Sequence, residues 1–239
     1  MVEISDLLHR QDELQAEAAT VREDLGLDQR LSAHGEVVPV GSAALGLMVW
    51  RDLDLTVVCP RLDGEAVAGT GARLAVHPRV REVRFIDDTG EWNTDPTYPE
   101  GLYLGLRCRS QAGEIWKVDI WFVDDPDRQP DLTHARDLPG RLTAETRGAI
   151  LLVKDAWASR PEYRHSVRSW DIYTGVLDHG VRTPGQFEDW LRLRTAAQIV
   201  PLEEQGAGAI TYEPGPPCFF VWVPESVKPD NPRSMGQSF

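Results

Sequence analysis

Cysteine is scarce: Cys59, Cys108 and Cys218 are the only three in 239 residues, an odd number with no C-x-x-C spacing. That excludes a disulfide framework and a zinc knuckle, and it fits a reducing, cytoplasmic compartment. Long apolar runs are missing too. The longest uncharged stretch, Val37 to Trp50, is broken by Pro39, Gly41 and Gly46, and is too short to cross a bilayer. The opening segment carries Glu3, Asp6, His9, Arg10, Asp12 and Glu13 where a secretory leader needs an apolar middle, so no membrane association is expected. Positive charge is in deficit. Lys and Arg total 25 against 38 Asp and Glu, a net charge of −13, so the chain as a whole repels polyanions and a general nucleic-acid coat is excluded. His34, His134, His165 and His179 show no metal-ligand spacing. What is present is an ordinary globular composition, 41% hydrophobic with 8 Trp. A chain of this length buries roughly 70% of its unfolded surface, so it needs no disulfide or structural metal to fold.

The apolar spacing predicts an α+β protein. Ile4, Leu7, Leu8, Leu14, Ala18, Val21 and Leu25 recur at helical intervals, with Ser5 as the expected N-cap. Strands are predicted over 36–40, 54–59, 80–86, 102–108 and 115–123, with Gly41-Ser42 as a turn, a short helix over 43–49 and a weaker one over 65–76. After the Pro- and Asp-rich stretch from Asp124 to Pro139 the pattern becomes helical: 146–159, 170–179 and 184–200. The expected organisation is therefore a small mixed-sheet catalytic domain over 1–130 with its N-terminal helix, then a mainly helical region over 131–223. A late hairpin is expected within that region around 213–217, and a flexible tail over 224–239.

Chemistry concentrates in one stretch. In a strand that begins Asp52-Leu-Asp-Leu55, side chains alternate, so Asp52 and Asp54 share one face while Leu53 and Leu55 enter the core. A second strand, Ile115 to Val123, sets Asp119 opposite the apolar run Trp116, Val118, Ile120 and Phe122. A carboxylate inside such a strand must be paired, neutralised or bound to metal. If the two strands are neighbours, three carboxylates meet. An all-oxygen donor set of this kind favours Mg²⁺ or Mn²⁺ over zinc, and such sites serve phosphoryl and nucleotidyl transfer. The acid-x-acid triplet alone is weak, being expected by chance roughly six times in this composition. The order of features is sharper than any one of them: strand, Gly41-Ser42, a short helix, the Asp-Leu-Asp-Leu strand, then a later strand with an embedded Asp.

That order resembles the DNA polymerase β-like nucleotidyltransferase superfamily. The residues that carry the resemblance are Val40-Gly-Ser42, Ser42-Ala-Ala-Leu-Gly46 and Asp52-Leu-Asp-Leu55, and it covers residues 36 to 124. It implies that Asp52, Asp54 and Asp119 bind the catalytic metals, with Asp119 helping to activate the acceptor hydroxyl. It also implies that Gly41 and Ser42 hold the triphosphate of an NTP, ATP first. Ala43 stands where many members carry Arg or Lys. Farther on, Ile150-Leu-Leu-Val-Lys-Asp-Ala-Trp157 is similar to the apolar-Lys-x-x-Trp helix of the poly(A)-polymerase and oligoadenylate-synthetase branch, which implies that Lys154 reaches the triphosphate.

Plainer readings stand beside these. Ser42 could be a simple helix N-cap, Asp119 the partner of Lys117, and Lys154 a solvent-facing lysine; Asp87, Asp124 and Asp125 compete for the third position from strand ends. The expected function is Mg²⁺- or Mn²⁺-dependent transfer of a nucleoside monophosphate to a hydroxyl acceptor. The net acidity suits a cationic, antibiotic-like small molecule. A toxin-type transferase acting on tRNA is the alternative, with RNA held locally by the basic run Arg136 to Arg168, whose seven cations face four acids. That run otherwise only solvates a helix face. A non-catalytic nucleotide- or partner-binding module is the third reading.

Overall fold

The β-branched and aromatic runs of the first half pair into one sheet. In the computed structural model, which describes residues 3–199 apart from 96 and 164, the strands are β1 (Glu36–Val40), β2 (Asp52–Val58), β3 (Val80–Asp88), β4 (Gly101–Arg109) and β5 (Ile115–Val123). Their order is β1-β2-β5-β4-β3. Only β2 and β5 run parallel; the other pairs are antiparallel.

Leu53, Leu55 and Val57 of β2, Leu102, Leu104 and Leu106 of β4, and Trp116, Val118, Ile120 and Phe122 of β5 form one apolar face. It is covered by α1 (Ile4–Asp24), α2 (Leu27–Leu31) and α4 (Gly64–Ala75) through Leu14, Val21, Leu27, Leu31, Val67 and Leu74. The acids lie on the other face. A second apolar cluster gathers Leu45 and Leu47 with Leu138, Ile150, Val153, Trp157, Ile172, Val176 and Phe187. Those residues come mainly from α6 (Ala144–Trp157), α7 (Ser169–His179) and α8 (Pro184–Ile199). Thr143 caps α6, its hydroxyl accepting from the Thr146 N–H.

Several local expectations need correction. Ser5 is not the N-cap of α1, which is Glu3, without a side-chain cap. The short helix α3 occupies Gly41–Leu45 rather than 43–49: Gly46, at φ 64°, ends it, and the Leu47 N–H turns back to the Ser42 carbonyl. A further helix, α5 (Pro130–Asp137), begins at Pro130 within the Pro- and Asp-rich stretch, where no helix is predicted. It packs against β1 and α3, across the expected boundary near 130. The late hairpin and the tail lie outside the described residues. No helix among the described residues is long and apolar enough to cross a membrane.

Candidate active site

Parallel pairing of β2 with β5 sets Asp54 directly opposite Asp119, and Asp52 opposite Lys117. Each of Asp52, Asp54 and Asp119 offers a carboxylate oxygen within 4.8 Å of those of the other two. Asp52 is 3% exposed and accepts from the Trp50 indole at 3.3 Å. Asp119, 9% exposed, accepts from the Tyr103 hydroxyl at 2.5 Å on Oδ1 and from the Lys117 ammonium on Oδ2. Burial pushes the Asp54 carboxyl well above the usual carboxylate range. Asp52, Asp119 and Asp131 push the same way, against the pull of Lys117. Burial alone would lower the Lys117 ammonium, but Asp52, Asp119 and Asp54 outweigh it and hold the group above its ordinary value. Burial also raises the Tyr103 phenol, with Asp119 adding to the shift.

Gly41 begins α3 at φ 65°. A Cβ there would lie 2.2 Å from Asp54 Oδ2, so both conformation and space require glycine. The N-cap of α3 is Val40, without a side-chain cap; Ser42 is therefore not the N-cap, and it is one of the residues that line the cleft.

That cleft has a cavity volume of about 70 Å³. It is lined by Gly41, Ser42, Asp52 and Asp54 from α3 and β2, Asp131 and His134 from α5, and Lys154, Ser169, Trp170 and Tyr173 from α6 and α7, with Leu45 and Trp50. The solvent-facing reading of Lys154 is overturned: the residue is fully buried, donates to the Leu47 carbonyl at 2.7 Å, and lies 5.2 Å from the Trp50 ring centre. Its contact with the Tyr173 hydroxyl is 3.4 Å. Arg51, the cation nearest to Gly41-Ser42 in sequence, pairs with Glu17 at 3.1 Å and Glu114 at 3.5 Å. The Lys117 reading of Asp119 holds together with the three-acid reading, since the ion pair sits inside the cluster. Asp87, Asp124 and Asp125 are not members of it.

Sequence reasoning missed Asp131 and His134, both on α5. Burial lifts the Asp131 carboxyl to about 6 and lowers the His134 imidazole to about 4. The His134 ring stacks on Trp170 with centres 4.0 Å apart. Pro130 at the first helical position was the available signal. Tyr103 was missed because its role depends on the β4–β5 register.

Three acids of oxygen donors only, with carboxylate oxygens within 4.8 Å of one another, fit a hard divalent cation such as Mg²⁺ or Mn²⁺.

The chain matches no protein-family model and no curated protein by sequence. Among solved structures it is similar to the Cid1 poly(U) polymerase bound to MgATP, at 19% identity and TM-score 0.51, over 73% of this chain and 54% of that one. The MgGTP-bound form of the same polymerase gives 20% identity, TM-score 0.51 and the same coverage. The match to E. coli CdnC with ATP covers 85% of this chain and 73% of that one at 16% identity, with a TM-score of 0.43. The chain thus spans about half the length of the polymerase it matches. The likeness shows a fold shared with that polymerase over the matched part of the chain.

Proposed function

We propose that the protein is a metal-dependent nucleotidyltransferase that moves the nucleoside monophosphate of an NTP, ATP first, to a hydroxyl acceptor and releases pyrophosphate. The observation that carries this is the meeting of Asp52, Asp54 and Asp119 within 4.8 Å on the cleft side of the sheet, beside Gly41 and Ser42. Asp52, Asp54 and Asp119 would hold Mg²⁺ or Mn²⁺, which when bound supplies Lewis acidity at the α-phosphate and charge neutralisation at the leaving pyrophosphate. The protein's own groups do the rest. Gly41 lets the main chain pass against Asp54, and Ser42 and Lys154, which both line the cleft, contact the triphosphate. The Trp170–His134 stack and Tyr173 give the base an aromatic side to rest on. Asp119 orients the acceptor hydroxyl and takes its proton as the new oxygen–phosphorus bond forms and the bond to pyrophosphate breaks.

The surroundings of Asp119 favour an anionic acceptor over the cationic small molecule that net charge suggests. Along the site face of the sheet, Arg84 lies opposite Gly105, which lies opposite Asp119, and Arg107 lies opposite Lys117. Both arginines are exposed, and among the described residues neither forms an ion pair. A phosphate-bearing acceptor such as an RNA end suits that strip. It also agrees with what the neighbour does, a polymerase of poly(U).

The test is pyrophosphate release from each NTP with Mg²⁺ and a panel of acceptors that includes RNA oligonucleotides and aminoglycosides. Asp54→Ala should abolish the signal, and equal release by wild type and variant would eliminate the proposal. Nucleotide-dependent thermal stabilisation without any turnover would leave the binding-module reading in its place.

A further inference from the structure

We propose that Tyr103 and Lys117 are positioning residues that clamp the Asp119 carboxylate from both sides, and that Gly105 is present to let Tyr103 reach it. The inference rests on the nucleotidyltransferase reading and deepens it.

A carboxylate on a strand can rotate about both of its side-chain bonds, so its strand position alone does not aim its oxygens. Here each oxygen has its own donor. Tyr103 Oη donates to Oδ1 at 2.5 Å, and the Lys117 ammonium donates to Oδ2. Lys117 stands two residues before Asp119 on the same strand and face, and Tyr103 comes from the neighbouring strand. The two donors therefore approach from different directions and close off rotation, while each oxygen keeps lone-pair capacity for a further partner.

The register explains the glycine. On β4, the residue opposite Asp119 is Gly105, whereas Tyr103 is opposite Trp121. To reach Asp119 the tyrosine must lean along its strand across the Gly105 position. A Cβ at Gly105 would come within 2.4 Å of the Tyr103 hydroxyl and 2.9 Å of its ring. Gly105 is not among the positive-φ glycines, so its backbone makes no demand and the space alone does. Trp121 lies against the tyrosine, ring centres 5.1 Å apart, and keeps it from swinging back.

A buried carboxylate needs partners for stability alone, so the experiment must separate aim from satisfaction. Tyr103→Phe removes one hydroxyl and no volume. Gly105→Ala keeps the hydroxyl but displaces it. Outer-shell partners of metal-binding side chains are typically worth about 10- to 100-fold in metal affinity or activity. Both variants should therefore bind Mn²⁺ about 10-fold more weakly than wild type in the absence of nucleotide, read by electron paramagnetic resonance. Both should lose kcat by about the same factor with KM for the NTP unchanged. Lys117→Met should lose kcat in the same way and Lys117→Arg should restore most of it; because the lysine is 40% exposed on its side chain, both variants are expected to fold.

The controls are Asp54→Ala and Asp119→Ala. If they bind Mn²⁺ as wild type does, the metal-site reading itself fails. If they lose Mn²⁺ while Tyr103→Phe and Lys117→Met keep wild-type kcat, only the clamp is overturned. Should Gly105→Ala not fold, the tyrosine and lysine variants decide.

Discussion

Replacing Gly41 with alanine should separate two costs that the structure places on one residue. The first is conformational: at φ 65° a residue with a Cβ pays about 1–2 kcal/mol. The second is local, because the new methyl would lie 2.2 Å from Asp54 Oδ2 and 2.8 Å from its Cγ, roughly 1 Å inside ordinary carbon–oxygen contact. If Asp54 stays, overpacking adds about 1–3 kcal/mol. If it turns away, the triad opens by about 1 Å, a misplacement worth on the order of 100-fold in rate. Gly46→Ala is the matched comparison. It has nearly the same φ, 64°, but its methyl would meet the end of the flexible Arg147 side chain at 2.1 Å. In urea unfolding, Gly46→Ala should lose about 1–2 kcal/mol and retain most pyrophosphate release. Gly41→Ala should lose at least as much stability and nearly all activity and Mn²⁺ affinity. Equal turnover in the two variants would refute the claim that Gly41 exists to make room for Asp54.

The Asp131 carboxyl, lifted to about 6 by burial, sits above its unfolded value of about 3.9. Its cost to the folded state is absent below pH 4, grows between pH 4 and 6, and is constant above. Asp131→Asn should therefore be more stable than wild type at pH 7.5, by at most about 3 kcal/mol and less after solvent screening, with the gap closing at pH 4; a pH-independent gap contradicts this. Lys154→Met conserves volume but leaves the Leu47 carbonyl without a donor that stands 2.7 Å away, a cost of about 1–3 kcal/mol in unfolding experiments. Its KM for the NTP should rise at least 10-fold, and an unchanged KM would assign the lysine to packing alone. With an RNA acceptor, Arg84→Ala and Arg107→Ala should each reduce the salt slope of binding by about 1, and unchanged slopes would remove the anionic strip from the acceptor path.

Much of the site was legible because strand periodicity is a local property. Asp52, Asp54 and Asp119 announce themselves as acids on the polar side of apolar strands, and the alternation that buries Leu53, Val118 and Ile120 fixes where they point. Lys117 was visible by the same count of two. What local pattern does not encode is which strands become neighbours and in what register, and Tyr103, Gly105 and Arg84 acquire their places only from that. Helix α5 was hidden for a different reason: Pro, Asp and Gln around 126–131 read as loop, yet Pro130 begins a helix and its next turn delivers Asp131 and His134 to the cleft. Lys154 looked exposed because a lysine among Leu, Val and Asp has no local sign of burial. It is fully buried, and its partners Leu47 and Tyr173 belong to other elements of the chain.

The parallel seam between β2 and β5 also bears on how the chain acquires its function. Strands so far apart in sequence find each other only after a long loop has closed, and non-local pairing of this kind folds slowly. A slip of one residue there would exchange Asp119 for Val118 or Ile120 beside Asp54. Any folding intermediate that lacks the seam, or forms it one step out of phase, holds no place where the acids can gather, so catalytic competence should appear late in refolding and all at once.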